Sequence, residues 1–192
     1  LLLILPLAAG LLAACGSRGA RLDHFDEEGL FAHGMTLLDA RRWPQAAEVF
    51  ERFILVYPTH PRVQEARFRL GETYQGRREW VTAAAEFNRL ASEYPQGQWA
   101  DDARFQVCRS YHQLAPRPQL DQEYTRSAVD HCQALLTFYP QSEYVPRAQE
   151  IIAELVNRLA HKEFITAEDY FRRRAFDSAI IYYDIVATDY PT

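Results

Sequence analysis

Cysteine is scarce in this chain: Cys15, Cys108 and Cys132 are the three among 192 residues. That excludes a small domain held by a framework of disulfides. Basic charge is also short. The net charge is −5, and the basic stripe that a nucleic-acid partner needs is missing. Signatures of catalysis are missing too. There is no glycine-rich phosphate loop, no Gly-x-Ser-x-Gly and no His-Glu-x-x-His. Acidic pairs such as Asp101-Asp102 stand at helix starts, where they complement the helix dipole. Cys108 and His112 share a helix face, but His131 and Cys132 are neighbours that point about 100° apart on the next helix. No zinc site, other metal or cofactor is therefore assigned, and no enzyme is expected. Low-complexity runs are absent, and proline falls at helix ends rather than in linkers.

What is present is a repeated pattern. The chain is 48% hydrophobic and 13% aromatic, enough to bury a core. Between Gln64 and Pro95, Leu70, Gly71 and Tyr74 share one helical face, and Ala83, Phe87 and Leu90 share a second. Gly71 lets two helices approach closely, Phe87 packs between them, and Pro95 stops the second. The spacing is that of the tetratricopeptide (TPR) repeat. Gly34, Leu37, Ala46, Phe50, Phe53 and Pro58 repeat it upstream. Cys108, Tyr111, Ala128, Cys132, Leu135 and Pro140 repeat it downstream, with about eight extra residues between Tyr111 and Ala128. Ala167, Tyr170, Ala179, Tyr183, Val186 and Pro191 give a fourth copy, and each copy ends in Tyr-Pro. The expected fold is all-α: a solenoid of antiparallel helix pairs over 26–192, with repeats near 26–58, 62–95, 99–140 and 142–191.

The first fourteen residues, LLLILPLAAGLLAA, carry no charge. They are too short to span a bilayer and suit the apolar part of a signal peptide. Leu12-Ala13-Ala14-Cys15-Gly16 looks like a bacterial lipobox, in which cleavage leaves Cys15 as an acylated N-terminus. By resemblance to the sorting rule, Gly16 after the cysteine favours the outer membrane. Residues 15–25 then form the lipidated cysteine and a short tether.

Further along, Asp26, Glu27 and Glu28 fit the first turn of a helix, and Pro44 fits the start of the second. Ala115-Pro116-Arg117-Pro118 interrupts the third repeat, as a partner contact or as a tolerated surface insertion. From Ser142 or Glu143 a long helical pattern runs to about Arg174, as one helix or two broken near His161. No polar capping helix follows, so a piece of a longer solenoid is expected.

In such a solenoid the first helix of each pair lines the concave face. Equivalent positions there hold Phe31, Phe68, Phe105 and Phe164, then Met35, Glu72, Arg109 and Glu168, then Leu38, Gln75, His112 and Phe171. The phenylalanine ladder is either a row of sockets for an extended peptide or internal packing. Phe31, Met35 and Leu38 make the first repeat the most apolar stretch of groove. Cys108 and Cys132 face each other within one pair, and a disulfide and two free core thiols are both open readings.

The lipobox, the Tyr-Pro-ended repeats and above all Asn157–Phe164 with Ala167–Phe171 resemble BamD, the lipoprotein family of the outer-membrane β-barrel assembly machinery. The resemblance spans nearly the whole chain and implies a non-catalytic platform. It implies docking of the POTRA domain of a BamA-like barrel protein, with Glu168, Phe171 and Arg172 on that side. It also implies capture of unfolded outer-membrane proteins through their C-terminal β-signals, at Phe31, Met35 and Leu38. Other small lipoproteins are further partners, the membrane is met through the lipid anchor, and nucleic acid is not a partner. Members have about five repeats, so one is expected to be missing here. The alternatives are another periplasmic TPR lipoprotein, such as a secretin pilotin or a cell-wall coordinator, or an enzyme carried on a TPR scaffold.

Overall fold

A computed structural model describes residues 22–190. The signal stretch, Cys15, most of the tether and Pro191 lie outside the described residues. Within them the regular structure is a short 3-10 turn and eight α-helices. These are α1 (Glu27–Asp39), α2 (Trp43–Val56), α3 (Val63–Gly76), α4 (Trp80–Glu93), α5 (Ala100–Leu114), α6 (Glu123–Phe138), α7 (Val145–Arg172) and α8 (Phe176–Asp189). Each helix packs antiparallel on the next, which makes a TPR-like solenoid. No described helix is long and apolar enough to cross a membrane.

Local chemistry sets the helix ends. The Asp26 carboxylate accepts from the Gly29 N–H at 2.8 Å and caps α1. Tyr57, Tyr94 and Tyr139 close α2, α4 and α6 outside the helical region, with φ between −122° and −134° and ψ between 56° and 63°. The proline that follows each tyrosine disfavours a helical residue before it. The turns after α1, α3 and α7 are closed by Arg41, Arg78 and Arg174 at φ 54°, 61° and 61°. That is left-handed backbone, which glycine adopts most easily.

The two helices of a pair cross where a small residue faces a large one. A Cβ on Gly34 would lie 2.8 Å from the Phe50 ring, and one on Gly71 would lie 2.6 Å from Phe87. In the third pair the same register holds Cys108 and Cys132, joined by a disulfide with Cα atoms 4.7 Å apart. Burial then runs continuously through the solenoid, from Phe31, Phe50 and Phe53 through Phe87 and Leu90 to Leu135 and Leu155. At about 25 cal/mol per Å² of apolar surface removed from water, this burial is the main stabilising term.

α7 is a single helix of 28 residues, about 42 Å long. No break occurs at His161. Its first half takes the place of the next pair's first helix: Ala148, Ile151 and Leu155 join the cluster of Phe105, Cys132 and Leu135. Its second half continues beyond the loop at Ala115 and Pro116, whose carbonyls accept from Arg158 at 2.8 and 3.2 Å. α8 folds back on that second half, with Ala179 buried in the crossing and Tyr183 bonded to Glu168.

The phenylalanine ladder is a packing device. Phe31, Phe68 and Phe105 are 1%, 4% and 6% exposed, so they do not line a surface groove. Each is covered by the residue that opens the following first helix. The Arg62 guanidinium lies 3.5 Å above Phe31, Trp99 stands 4.7 Å from Phe68, and Tyr144 stacks on Phe105 at 4.5 Å. Phe164 is 43% exposed and meets the Tyr183 ring of α8 at 5.8 Å.

Candidate functional site

The remaining groove positions do converge. Met35, Leu38 and Asp39 of α1, Arg69, Glu72, Gln75 and Gly76 of α3, and Arg109 of α5 surround one open cleft of about 490 Å³. Trp43 and Trp80, the first residues of α2 and α4, complete its wall. Helix periodicity explains the convergence: Met35, Leu38 and Asp39 share a face of α1, as do Arg69, Glu72 and Gln75 on α3. The tryptophans meet the cleft because the tight turns before them place the start of each second helix beside the end of the first. Gly76 is needed here, since a Cβ on it would lie 2.5 Å from the Trp43 ring.

The cleft is lined by apolar and polar side chains together. Arg69 donates to Glu72 at 2.9 Å and to Glu65 at 3.4 Å. Burial pulls the Arg69 pKa down, but hydrogen bonds and charge from Glu72 and Glu65 outweigh it, so the group is held more firmly cationic than usual. Gln75 donates to the Gln106 side chain at 3.1 Å and to the Ser110 hydroxyl at 3.0 Å. Arg109 is exposed and donates to Gln106 at 3.0 Å, which leaves most of its guanidinium donors open to the cleft. Nothing here suits covalent chemistry. Among the described residues, no group of three or more His, Cys, Asp or Glu is placed to hold a metal ion.

A second surface lies on the α7–α8 hairpin. Phe164, Phe171, Phe176, Ile180 and Ile181 are between 43% and 59% exposed there, a concentration of bare apolar side chains. Phe171 touches Phe176, Glu168 accepts from Tyr183, and Arg172 donates to Asp169 at 3.3 Å. These residues share the hairpin with one another and lie apart from the Met35–Arg109 cleft.

The family model YfiO, described as outer membrane lipoprotein, matches residues 24–192. The chain belongs to the YfiO family. Its place is the periplasmic face of the outer membrane, as a lipid-anchored protein, and its role is that of a non-catalytic TPR scaffold in outer-membrane protein assembly. No curated protein matches the chain. The solved structure described as MamA AMB-1 is similar at 15% identity and a TM-score of 0.49, covering 88% of this chain and 76% of that one.

Sequence reasoning missed Trp43, Trp80, Ile180 and Ile181. The tryptophans hold the same place in successive repeats, just past the turn, so extending the repeat register to the turns would have found them. The isoleucines gave no local signal, because an apolar residue on a solenoid helix is normally covered.

Proposed function

We propose that the YfiO-family scaffold works through two surfaces, one for unfolded outer-membrane protein and one for the barrel-forming partner. The Met35–Arg109 cleft takes an extended segment of an unfolded outer-membrane protein. The observation that carries this is the combination in one concave site of Met35, Leu38, Trp43 and Trp80 with the cation Arg109. Apolar side chains and tryptophan faces receive alternate side chains of an extended peptide, and Arg109 meets a carboxylate or backbone carbonyl. The α7–α8 hairpin, with Phe171 and Ile181 exposed and Glu168 and Arg172 beside them, docks the POTRA domain of a BamA-like barrel protein. Cys15 carries the acyl chains that hold the protein at the membrane, and other small lipoproteins join through the same scaffold.

The test is binding of a fluorescent C-terminal peptide from an outer-membrane barrel protein to the full-length protein. Leu38→Ser combined with Trp80→Ala is expected to weaken it at least tenfold, equivalent to about 1.4 kcal/mol, with unchanged far-UV circular dichroism. Phe31→Ser, by contrast, is expected to unfold the first pair, since Phe31 is core. Unaltered affinity in the Leu38/Trp80 variant sinks the groove reading. A parallel pull-down with Ile181→Asp is expected to lose the barrel protein and to keep the peptide.

A further inference from the structure

The arginines divide into two sets. Near the Tyr-Pro ends they are paired: Arg62 with Glu28 and Glu65, Arg67 with Glu86 and Glu93, Arg147 with Glu150. Among the described residues, Arg41, Arg42, Arg78, Arg117, Arg126 and Arg174 have no ion pair and no side-chain hydrogen bond. All of these sit in, or within one helical turn of, the connection between the two helices of a pair. In the first two pairs those connections lie side by side, because the end of α3 packs on Trp43 at the start of α2. One edge of the solenoid therefore carries Arg41, Arg42, Arg77 and Arg78, with Trp43 and Trp80 next to them. Asp39 and Glu79 offset part of that charge, and Arg77 is engaged by Glu79 at 2.7 Å. The opposite edge carries more acid than base: Glu27, Glu28, Glu93, Asp101 and Asp102 lie at or near the helix ends there, against Arg62 and Arg67, which pair with Glu28 and Glu93.

Three of the unpaired arginines also break a backbone rule, Arg174 of the last connection among them. Arg41 at φ 54° and Arg78 at φ 61° occupy a conformation that costs an L-residue more than it costs glycine. Both of these positions on the edge hold a cation.

We infer that this edge of the first two helix pairs is a second contact with the bilayer, seated on anionic phospholipid headgroups. The first pair is the one nearest in sequence to Cys15. Leu22–His24 form a 3-10 turn with Leu22 packed on the first core cluster, so the stretch from Cys15 to Leu22 reaches up to roughly 23 Å when extended, just over the length of α1, which at 13 residues is about 20 Å. The chain is thus long enough to carry the anchor from the start of α1 round to the edge. Arginines held by no neighbour suit mobile headgroups better than a single fixed carboxylate, and tryptophan beside arginine is the pairing that settles at a membrane interface. An acyl anchor with a basic patch binds membranes more firmly than either alone. The acidic edge turns away from an anionic surface, so the two contacts together orient the scaffold. The Met35–Arg109 cleft, which shares Trp43 and Trp80 with this edge, then opens close to the bilayer. The inference rests on the lipid-anchored placement and not on what the cleft binds.

The test uses the full-length lipidated protein in vesicles that carry a headgroup-attached nitroxide quencher. One set contains phosphatidylglycerol and the other is wholly phosphatidylcholine. A Trp99→Phe background reports Trp43 and Trp80, and a Trp43→Phe/Trp80→Phe background reports Trp99 at the acidic edge. Quenching of the first reporter is expected in phosphatidylglycerol vesicles only, with Trp99 unquenched. The triple variant Arg41→Gly, Arg42→Gln, Arg78→Gly is expected to lose at least half of that quenching. It is also expected to melt no lower than its parent, since glycine relaxes the two left-handed turns. Retention on vesicles reports the anchor separately and is expected for every variant. Equal quenching in phosphatidylcholine, unchanged quenching in the triple variant, or stronger quenching of Trp99 overturns the inference. So does loss of an acidic protein partner from the triple variant while quenching stays as it was.

Discussion

The second and third helix pairs meet the same packing demand with different chemistry. In the second pair the crossing is made by absence: Gly71 has no Cβ, and the Phe87 ring, fully buried, fills the space. In the third pair the same register holds Cys108 and Cys132, both fully buried and covalently joined. The pairs also differ in their connections. A tight turn closed by Arg78 links α3 to α4, while a longer proline-bearing loop links α5 to α6. That loop is pinned from two sides. Arg158 of α7 donates to the carbonyls of Ala115 and Pro116, and Gln122 donates to those of Arg117 and Leu120 at 2.9 Å each. A longer connection orders more chain on folding, and the bond and the pins offset that cost. The repeat register thus specifies where two helices cross, not which side chains fill the crossing.

The largest effect comes from removing the aromatic half of the second crossing. Phe87→Ala deletes a fully buried ring beside Gly71 and is expected to cost about 3–5 kcal/mol, read from urea unfolding. A loss below about 1 kcal/mol shows that the crossing collapses around the gap, and that the glycine–phenylalanine fit matters little. Next comes the third pair. Replacing both cysteines by alanine opens a link that spans 24 residues, with an expected loss of about 3 kcal/mol. The sharper variant is the exchange Cys108→Gly/Cys132→Phe, which writes the second pair's solution into the third. If the register is what counts, the exchange recovers at least half of the loss. If it is no better than the alanine pair, the neighbourhood of α6 and α7 has become specific to the disulfide.

Much of the fold was legible because one pattern repeats. Spacing alone located the helix ends at Tyr57, Tyr94 and Tyr139, and the third pair's insertion. The length of α7 was legible too, since no glycine or interior proline interrupts its apolar positions beyond Pro146. Its continuity through His161 was not, because a single exposed histidine neither supports nor breaks a helix. The candidate site was legible only in part. Met35, Leu38, Glu72 and Arg109, expected on one concave face, line the same cleft. Phe31, Phe68 and Phe105 shared that frame and proved internal, because position along a helix gives a face but not what covers it. The lids are Arg62, Trp99 and Tyr144, three different residue types whose common task shows only in the folded chain. The paired state of Cys108 and Cys132 had the same limit, since two facing core positions suit thiols as well as a bond.

The smallest expected effect separates the two pairs by pH. Next to the second crossing, Glu86 faces Arg67 at 4.0 Å and Arg89 at 3.7 Å. The register-equivalent residue in the third pair is His131, stacked on Tyr111 at 4.5 Å. Burial pushes the His131 pKa down, the charge of Arg104 pushes it further, and Asp130 opposes them. The folded state therefore favours the neutral ring. For a group with a depressed folded pKa, the stabilising contribution is complete above the unfolded value of about 6.5. It is lost as pH falls through the folded pKa. The unfolding midpoint is expected to drop between neutral and mildly acidic pH, and His131→Gln is expected to flatten that slope. His131→Glu should also place a carboxylate beside Arg104 and reproduce the ion pairing of the second pair. An identical pH slope in His131→Gln places the acid sensitivity elsewhere and removes this difference between the pairs.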